Sequence, residues 1–88
     1  MNVNGSGNVV NVTGNEISAA AQDGVNIYNV VSAWIVNNVI HDNAGYGVYL
    51  ALSPDSRITN NVLVKNAHPI GVVSSPNTVT DPNTTDGV

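Results

Sequence analysis

The chain has 88 residues and a net charge of −4, with only two cations, Arg57 and Lys65, against six carboxylates. So little positive charge excludes nucleic acid and an anionic membrane surface as partners, since no basic patch exists to release counterions. The absence of cysteine excludes a disulfide framework and a thiolate metal site, and the apolar stretches are far too short to span a bilayer.

Fifteen Asn and sixteen Val stand where most chains carry Lys, Glu and Leu, a balance that predicts all-β structure with uncharged polar surfaces. Taken in chain order, the first segment is Val12, Asn15 and Ile17, followed by Gly24-Val25. Next come Ile35, Asn38 and Ile40 with Gly47-Val48, and then Ile58, Asn61 and Leu63 with Gly71-Val72 one residue late. A pattern of apolar-x-x-Asn-x-apolar recurring at a fixed period of about 23 residues identifies a solenoid of stacked coils. No segment carries a sustained helical period, so helices are not expected.

Within a coil the side chains alternate with period two, as strands require. In the middle coil Val48, Leu50 and Leu52 are expected inward, with Tyr49 and Ala51 outward. A turn follows at Ser53-Pro54-Asp55, then a strand with Ile58 inward, a corner at Asn61 and a third strand with Leu63 inward. Three short strands and three turns in each repeat predict an all-β, right-handed parallel β-helix of three to four coils, forming one domain over residues 1–88. The coils span about 3–25, 26–48 and 49–72, with a degenerate last coil at 73–88. Asn15, Asn38 and Asn61 are expected to take the left-handed conformation of a tight corner and to stack as an amide ladder along the axis. In the last coil Val79 keeps its place, Pro82 replaces the corner Asn, and Asp86-Gly87-Val88 echoes Asp23-Gly24-Val25.

The stretches Ile35–Leu52 and Ile58–Asn66 resemble the parallel β-helix repeats of carbohydrate-binding proteins and sugar hydrolases, a group that includes the mannuronan C5-epimerases. The resemblance covers about residues 9–75 and is one of coil geometry. In the epimerases a Tyr-Gly-aromatic segment leads into Asp-Pro-His-Glu, whereas here Tyr46-Gly47-Val48 leads into Tyr49-Leu50-Ala51. The family's catalytic residues therefore carry over to no position of this chain.

Among catalytic-type side chains, His41-Asp42 is the best local cluster, with His as a base and Asp as its orienter. Adjacent strand residues face opposite sides, which argues against direct partnership, and the matching positions Ser18-Ala19 and Val64-Lys65 add nothing; a surface turn is the competing reading. No calcium-loop spacing occurs among the aspartates, so neither a metal nor a cofactor is expected. Outward on the first strand, Asn26, Tyr49 and Val73 are expected in one rank and Tyr28, Ala51 and Ser75 in another. Tyr rings stack on a pyranose and Asn amides read hydroxyls, which makes Asn26, Tyr28 and Tyr49 candidates for carbohydrate binding. Trp34, in the rank of Asn11 and Arg57, is a further candidate; the alternative is that aromatics simply favour sheet surfaces. On the second strand Thr13, Val36, Thr59 and Thr80 are expected to stack.

No capping helix is legible at either end: the chain opens with Gly5-Ser6-Gly7-Asn8 and closes on the Thr/Pro/Asn-rich stretch 74–85. Uncapped coil ends pair with other chains, and three to four coils make a small core. A homo-oligomer or filament, by end-to-end or lateral packing, is therefore expected. The sequence reads as a non-catalytic structural module, extracellular or at the cell surface although Met1-Asn2-Val3-Asn4 is no signal peptide, with polysaccharide as a possible ligand. The alternative is a fragment of a polysaccharide-active enzyme such as a C5-epimerase, lyase or glycoside hydrolase.

Overall fold

A computed structural model describes residues 1–5 and 7–86. The expected echo at Asp86-Gly87-Val88 thus lies outside the described residues apart from Asp86, as does Ser6 of the opening Gly-Ser-Gly run. Every strand pairs in parallel with the strand one coil away, and the described residues include no helix. The architecture is the expected parallel β-helix.

The first sheet stacks β1 (Asn2–Asn4), β4 (Val25–Tyr28), β7 (Tyr46–Ala51) and β10 (His68–Val73). The second stacks β2 (Val9–Thr13), β5 (Ser32–Val36) and β8 (Arg57–Thr59), and is continued by a single bridge from Arg57 to Val79. The third stacks β3 (Glu16–Ser18), β6 (Val39–His41), β9 (Val62–Val64) and β11 (Thr84–Thr85). Inward side chains form columns along the axis. Val3, Ile27, Leu50 and Val72 share one register, and Ile17, Ile40, Leu63 and Thr85 another. Ile27, Ile35, Ile40, Leu50, Ile58 and Leu63 are wholly buried, so the core is densest in the two middle coils.

Each corner is built by a left-handed residue followed by a residue that turns inward. Between the second and third sheets the left-handed positions are Gly14, Asn37 and Asn60, with φ of 71°, 59° and 58°. The residues expected to hold that conformation, Asn15, Asn38 and Asn61, stand one position later. Their amides point along the axis instead, where each earlier Asn donates to the carbonyl oxygen of the next. Asn15 Nδ2 reaches Asn38 Oδ1 at 3.3 Å, and Asn38 Nδ2 reaches Asn61 Oδ1 at 3.0 Å. The backbone N–H groups of Asn15 and Asn38 donate to the same oxygens at 2.9 Å. The other corners repeat the device: Ala19, Asp42 and Lys65 are left-handed before Ala20, Asn43 and Asn66, and Asn29, Leu52 and Ser74 before Val30, Ser53 and Ser75. Asn43 donates to Asn66 Oδ1 at 2.8 Å, and the Ser53 N–H donates to Ser75 Oγ at 3.0 Å. A turn that would otherwise bury unpaired N–H groups thus satisfies them with short polar side chains from the next coil.

This register corrects five expectations. Leu52, expected inward, is 44% exposed because its left-handed backbone (φ 51°) carries the side chain out of the alternation. The last coil is one residue short, not long: Asn66 matches Asn43 at 23 residues, but His68 pairs with Tyr46 and Gly71 with Tyr49 at 22. Hence Tyr49 stacks on Gly71 and Ala51 on Val73, while Ser75 is buried in the rank of Ser53. By the same step Val79 faces Arg57, Thr80 follows it into the rank of Ile58 rather than Thr59, and Asn83 continues the ladder. The Asn61 amide donates to Asn83 Oδ1 at 3.0 Å. Pro82 therefore occupies the place of Asn60, whose N–H donates to the Pro82 carbonyl, and it does not replace the corner Asn.

Candidate functional site

Coil construction consumes the inward positions, so chemistry is left to the outward faces. On the third sheet, Glu16, Ser18, Val39 and His41 all point outward, and Glu16 lies diagonally across from His41 because its direct partner is Val39. The His41 ring is held at both nitrogens: Nδ1 stands 2.5 Å from Asp42 Oδ2, and Nε2 stands 3.0 Å from Glu16 Oε2. The expected separation of His41 from Asp42 is therefore corrected. Asp42 lies just past the end of β6, and its left-handed backbone (φ 57°) brings its carboxylate to the imidazole's side of the sheet. Glu16 was not legible from spacing, because a diagonal neighbour in another coil emerges only with the register.

Hydrogen bonds that the His41 ring donates to Asp42, first, and Glu16, second, raise its pKa above the ordinary 6.5. An imidazolium with both N–H groups engaged offers no lone pair to a substrate, which suits an ion pair between coils better than a base. Because the folded-state pKa exceeds the unfolded one, the stabilisation is fully present below pH 6.5. It is lost as pH rises through the folded-state pKa. Thermal melts should thus show a decline in Tm over that window, and His41→Gln should flatten it.

The first sheet carries a different grouping. The Tyr46 and Tyr49 rings lie 5.2 Å apart and tilted by 52°, and the His68 ring lies 5.0 Å from that of Tyr46. Gly71, under Tyr49 in the next coil, makes room for them. A Cβ there would stand 2.8 Å from Tyr46 Cε1 and 3.0 Å from Tyr49 Cδ2. Gly71 is thus a mid-strand residue that seats two rings. Asn26 flanks Tyr49 in register, and its amide donates to Asp23 Oδ2 at 2.9 Å, while Asp23 Oδ1 accepts the Tyr46 N–H at 2.8 Å. Tyr28 is 44% exposed beside them. Tyr46, His68 and Asp23 are not legible in the sequence: His68 meets Tyr46 across the 22-residue step, and Asp23 meets Tyr46 in the neighbouring coil at 23 residues, contacts that emerge only with the register.

Trp34 stands apart from this grouping, on the second sheet. It is 47% exposed, and the Arg57 guanidinium lies 5.2 Å from its ring centroid, a cation–π contact along the rank Asn11, Trp34, Arg57. Of the four sugar-binding candidates, the fold therefore brings Asn26, Tyr28 and Tyr49 together and leaves Trp34 on another face. No group of three His, Asp or Glu side chains suited to a metal occurs among the described residues.

Comparison with known families agrees with this geometry: the model of the family described as right handed beta helix region matches residues 1–87. The chain belongs to the right-handed beta helix family. No curated protein and no solved structure matches it significantly. Membership in the right-handed beta helix family accounts for the coil, the three sheets and the inward ladders. It assigns no chemistry to the outward faces, because a fold hosts many activities and the site decides among them.

Proposed function

We propose that this β-helix is a non-catalytic structural module, extracellular or at the cell surface, that self-associates and binds polysaccharide on the outer face of its first sheet. The observation that carries the reading is the Tyr46–Tyr49–His68 cluster seated over Gly71, with Asn26 and Tyr28 beside it. Flat, half-exposed rings on a stiff sheet offer the apolar face that a pyranose stacks upon, and the neighbouring amide reads its hydroxyls. A neutral glycan suits this face best. Asp23 contributes a carboxylate here, whereas Arg57 and the Lys65 that follows β9 belong to the other two sheets.

A second reading, a piece of a polysaccharide-active enzyme, draws on the Glu16–His41–Asp42 cluster. Affinity electrophoresis separates the two. Tyr49→Ala should weaken retention by a neutral glucan about tenfold, equivalent to ~1.4 kcal/mol, while Glu16→Gln leaves it unchanged. Retention that survives Tyr49→Ala, or turnover of the glucan that depends on His41, would contradict the proposal.

A further inference from the structure

A carboxylate holds the amide of the first sheet's outer face in one orientation. Asp23 lies in the turn just before β4, and Asn26 is the half-buried outward residue of β4 that stands beside Tyr49 in register. Asp23 Oδ1 accepts the Tyr46 N–H at 2.8 Å, and Oδ2 accepts the Asn26 Nδ2–H at 2.9 Å. The turn itself is clamped: the Gly24 N–H donates to the Tyr46 carbonyl at 2.9 Å, and the Gly45 N–H to the Gln22 carbonyl at 2.8 Å. Gly45 also leaves the slot that the carboxylate fills, since a Cβ there would stand 2.5 Å from Asp23 Oδ1. An ionised carboxylate offers acceptors only, so it takes the amide nitrogen of Asn26 and repels the amide oxygen. Asn26 Oδ1 is left as an acceptor that no donor reaches among the described residues.

We propose that Asp23 is a positioning residue that makes Asn26 Oδ1 the acceptor for a sugar hydroxyl, so that this face selects neutral glycans with free hydroxyls over O-substituted ones. The inference rests on the glycan-binding reading above and adds to it the direction of one hydrogen bond. Tyr49 and Asn26 are neighbours across one coil spacing, about 4.8 Å, so a pyranose stacked on Tyr49 brings a hydroxyl on its edge to the amide. A free hydroxyl donates to Oδ1. A methyl ether can only accept, and it sets one lone pair against another. A carboxylated sugar is disfavoured in the same way, because its oxygens face Oδ1 with the Asp23 charge behind it.

Asp23 also holds the Tyr46 backbone, and Asp23→Asn separates the two duties. The oxygen of the new amide must stay on the Tyr46 N–H, since its nitrogen in that place would oppose donor to donor. That nitrogen then faces Asn26 and turns the Asn26 amide over, so that Nδ2 and not Oδ1 points to the ligand. The turn keeps its bond to Tyr46 while the face changes from acceptor to donor. A donor serves a free hydroxyl and a methyl ether alike.

The test is a pair of titrations of the 88-residue chain, with a neutral glucan oligosaccharide and with the same oligosaccharide fully O-methylated, followed by amide chemical shifts. The wild-type chain should bind the free form at least about tenfold more tightly. Asp23→Asn should narrow that preference about fivefold, the worth of one hydrogen bond. In an Asn26→Ala background Asp23→Asn should change the preference no further, because Asp23 acts through Asn26. A role confined to holding Tyr46 leaves the preference unmoved. Should Asp23→Asn lose its strand signal by circular dichroism, exchange of the Asn26 side-chain amide in the wild-type chain decides: one Nδ2 proton stays slow to exchange with water, with and without glucan. Tyr49-dependent binding with an unchanged preference in Asp23→Asn overturns the inference and leaves the glycan-binding reading standing. So do equal affinities of the wild-type chain for the two forms, or two freely exchanging Nδ2 protons. A wild-type chain that binds neither oligosaccharide overturns both.

Discussion

Asn61→Ala is expected to lower stability by about 3–5 kcal/mol, read as a fall in the urea midpoint at constant slope. The Asn61 side chain is 1% exposed and holds four groups at once. Its oxygen accepts from the Asn38 backbone and amide at 2.9 and 3.0 Å, and its own amide donates to the Ile35 carbonyl at 2.9 Å and to Asn83 Oδ1 at 3.0 Å. Removing it strands two buried donors and one buried carbonyl with no water to replace it, each at a cost of about 1–3 kcal/mol. Domains of this size have a total stability of only about 4–13 kcal/mol, so the variant should be largely unfolded at modest denaturant. Asn15→Ala is the internal control. Asn15 is exposed at the end of the same ladder and keeps its backbone bond to Asn38, so the loss there should stay below about 1 kcal/mol. Equal losses at the two positions would mean that the ladder does not act through burial.

Leu50→Ala is the second large effect, with an expected loss of about 3–4 kcal/mol from the deleted side chain and the cavity left behind. Leu50 is wholly buried in β7, with Ile27 above and Val72 below it in the same column. Neighbouring coils are fixed by strand pairing on three sheets, so the walls have little freedom to collapse into the void. At the end of that column Val72 is 38% exposed, and Val72→Ala should cost under about 1 kcal/mol. The ratio of the two, from urea unfolding, measures how steeply burial rises from the end of the coil stack to its middle.

The coil was legible because its determinants are local and repeated. Inward Val, Ile and Leu recur with Asn at a fixed offset, and any stack that buries them must place them in register. Three things escaped the pattern, for separate physical reasons. The left-handed corner residue is Asn37 or Asn60 and not its neighbour, because Asn-Asn offers two side chains with the same turn preference and only packing decides which turns inward. The length of the last coil turns on whether Gly71 is the counterpart of Gly47, and its steric contacts with Tyr46 and Tyr49 show that it serves another purpose. Once that step is read as 22 residues, Asn83 falls into the ladder and Val73 leaves the rank of Tyr49.

The candidate sites were legible only in part. Tyr28, Tyr49 and Asn26 follow from strand alternation within one coil. Tyr46 touches Tyr49 within β7, His68 joins them through a contact between coils, and Glu16 reaches His41 along a diagonal. Trp34 is as exposed as its rank suggests but lies on a different sheet from the Tyr residues. Single-strand periodicity gives the face of a residue; its neighbours across coils depend on register, and a one-residue error in register moves every outward partner.

The most direct test of the functional account is amide chemical-shift mapping of the labelled chain during titration with a neutral glucan oligosaccharide. The account predicts saturable shifts clustered at Asn26, Tyr28, Tyr46, Tyr49 and Gly71, with Glu16, His41 and Asp42 unmoved. Shifts confined to the Glu16–His41–Asp42 cluster, or none on the first sheet at saturating ligand, would contradict it.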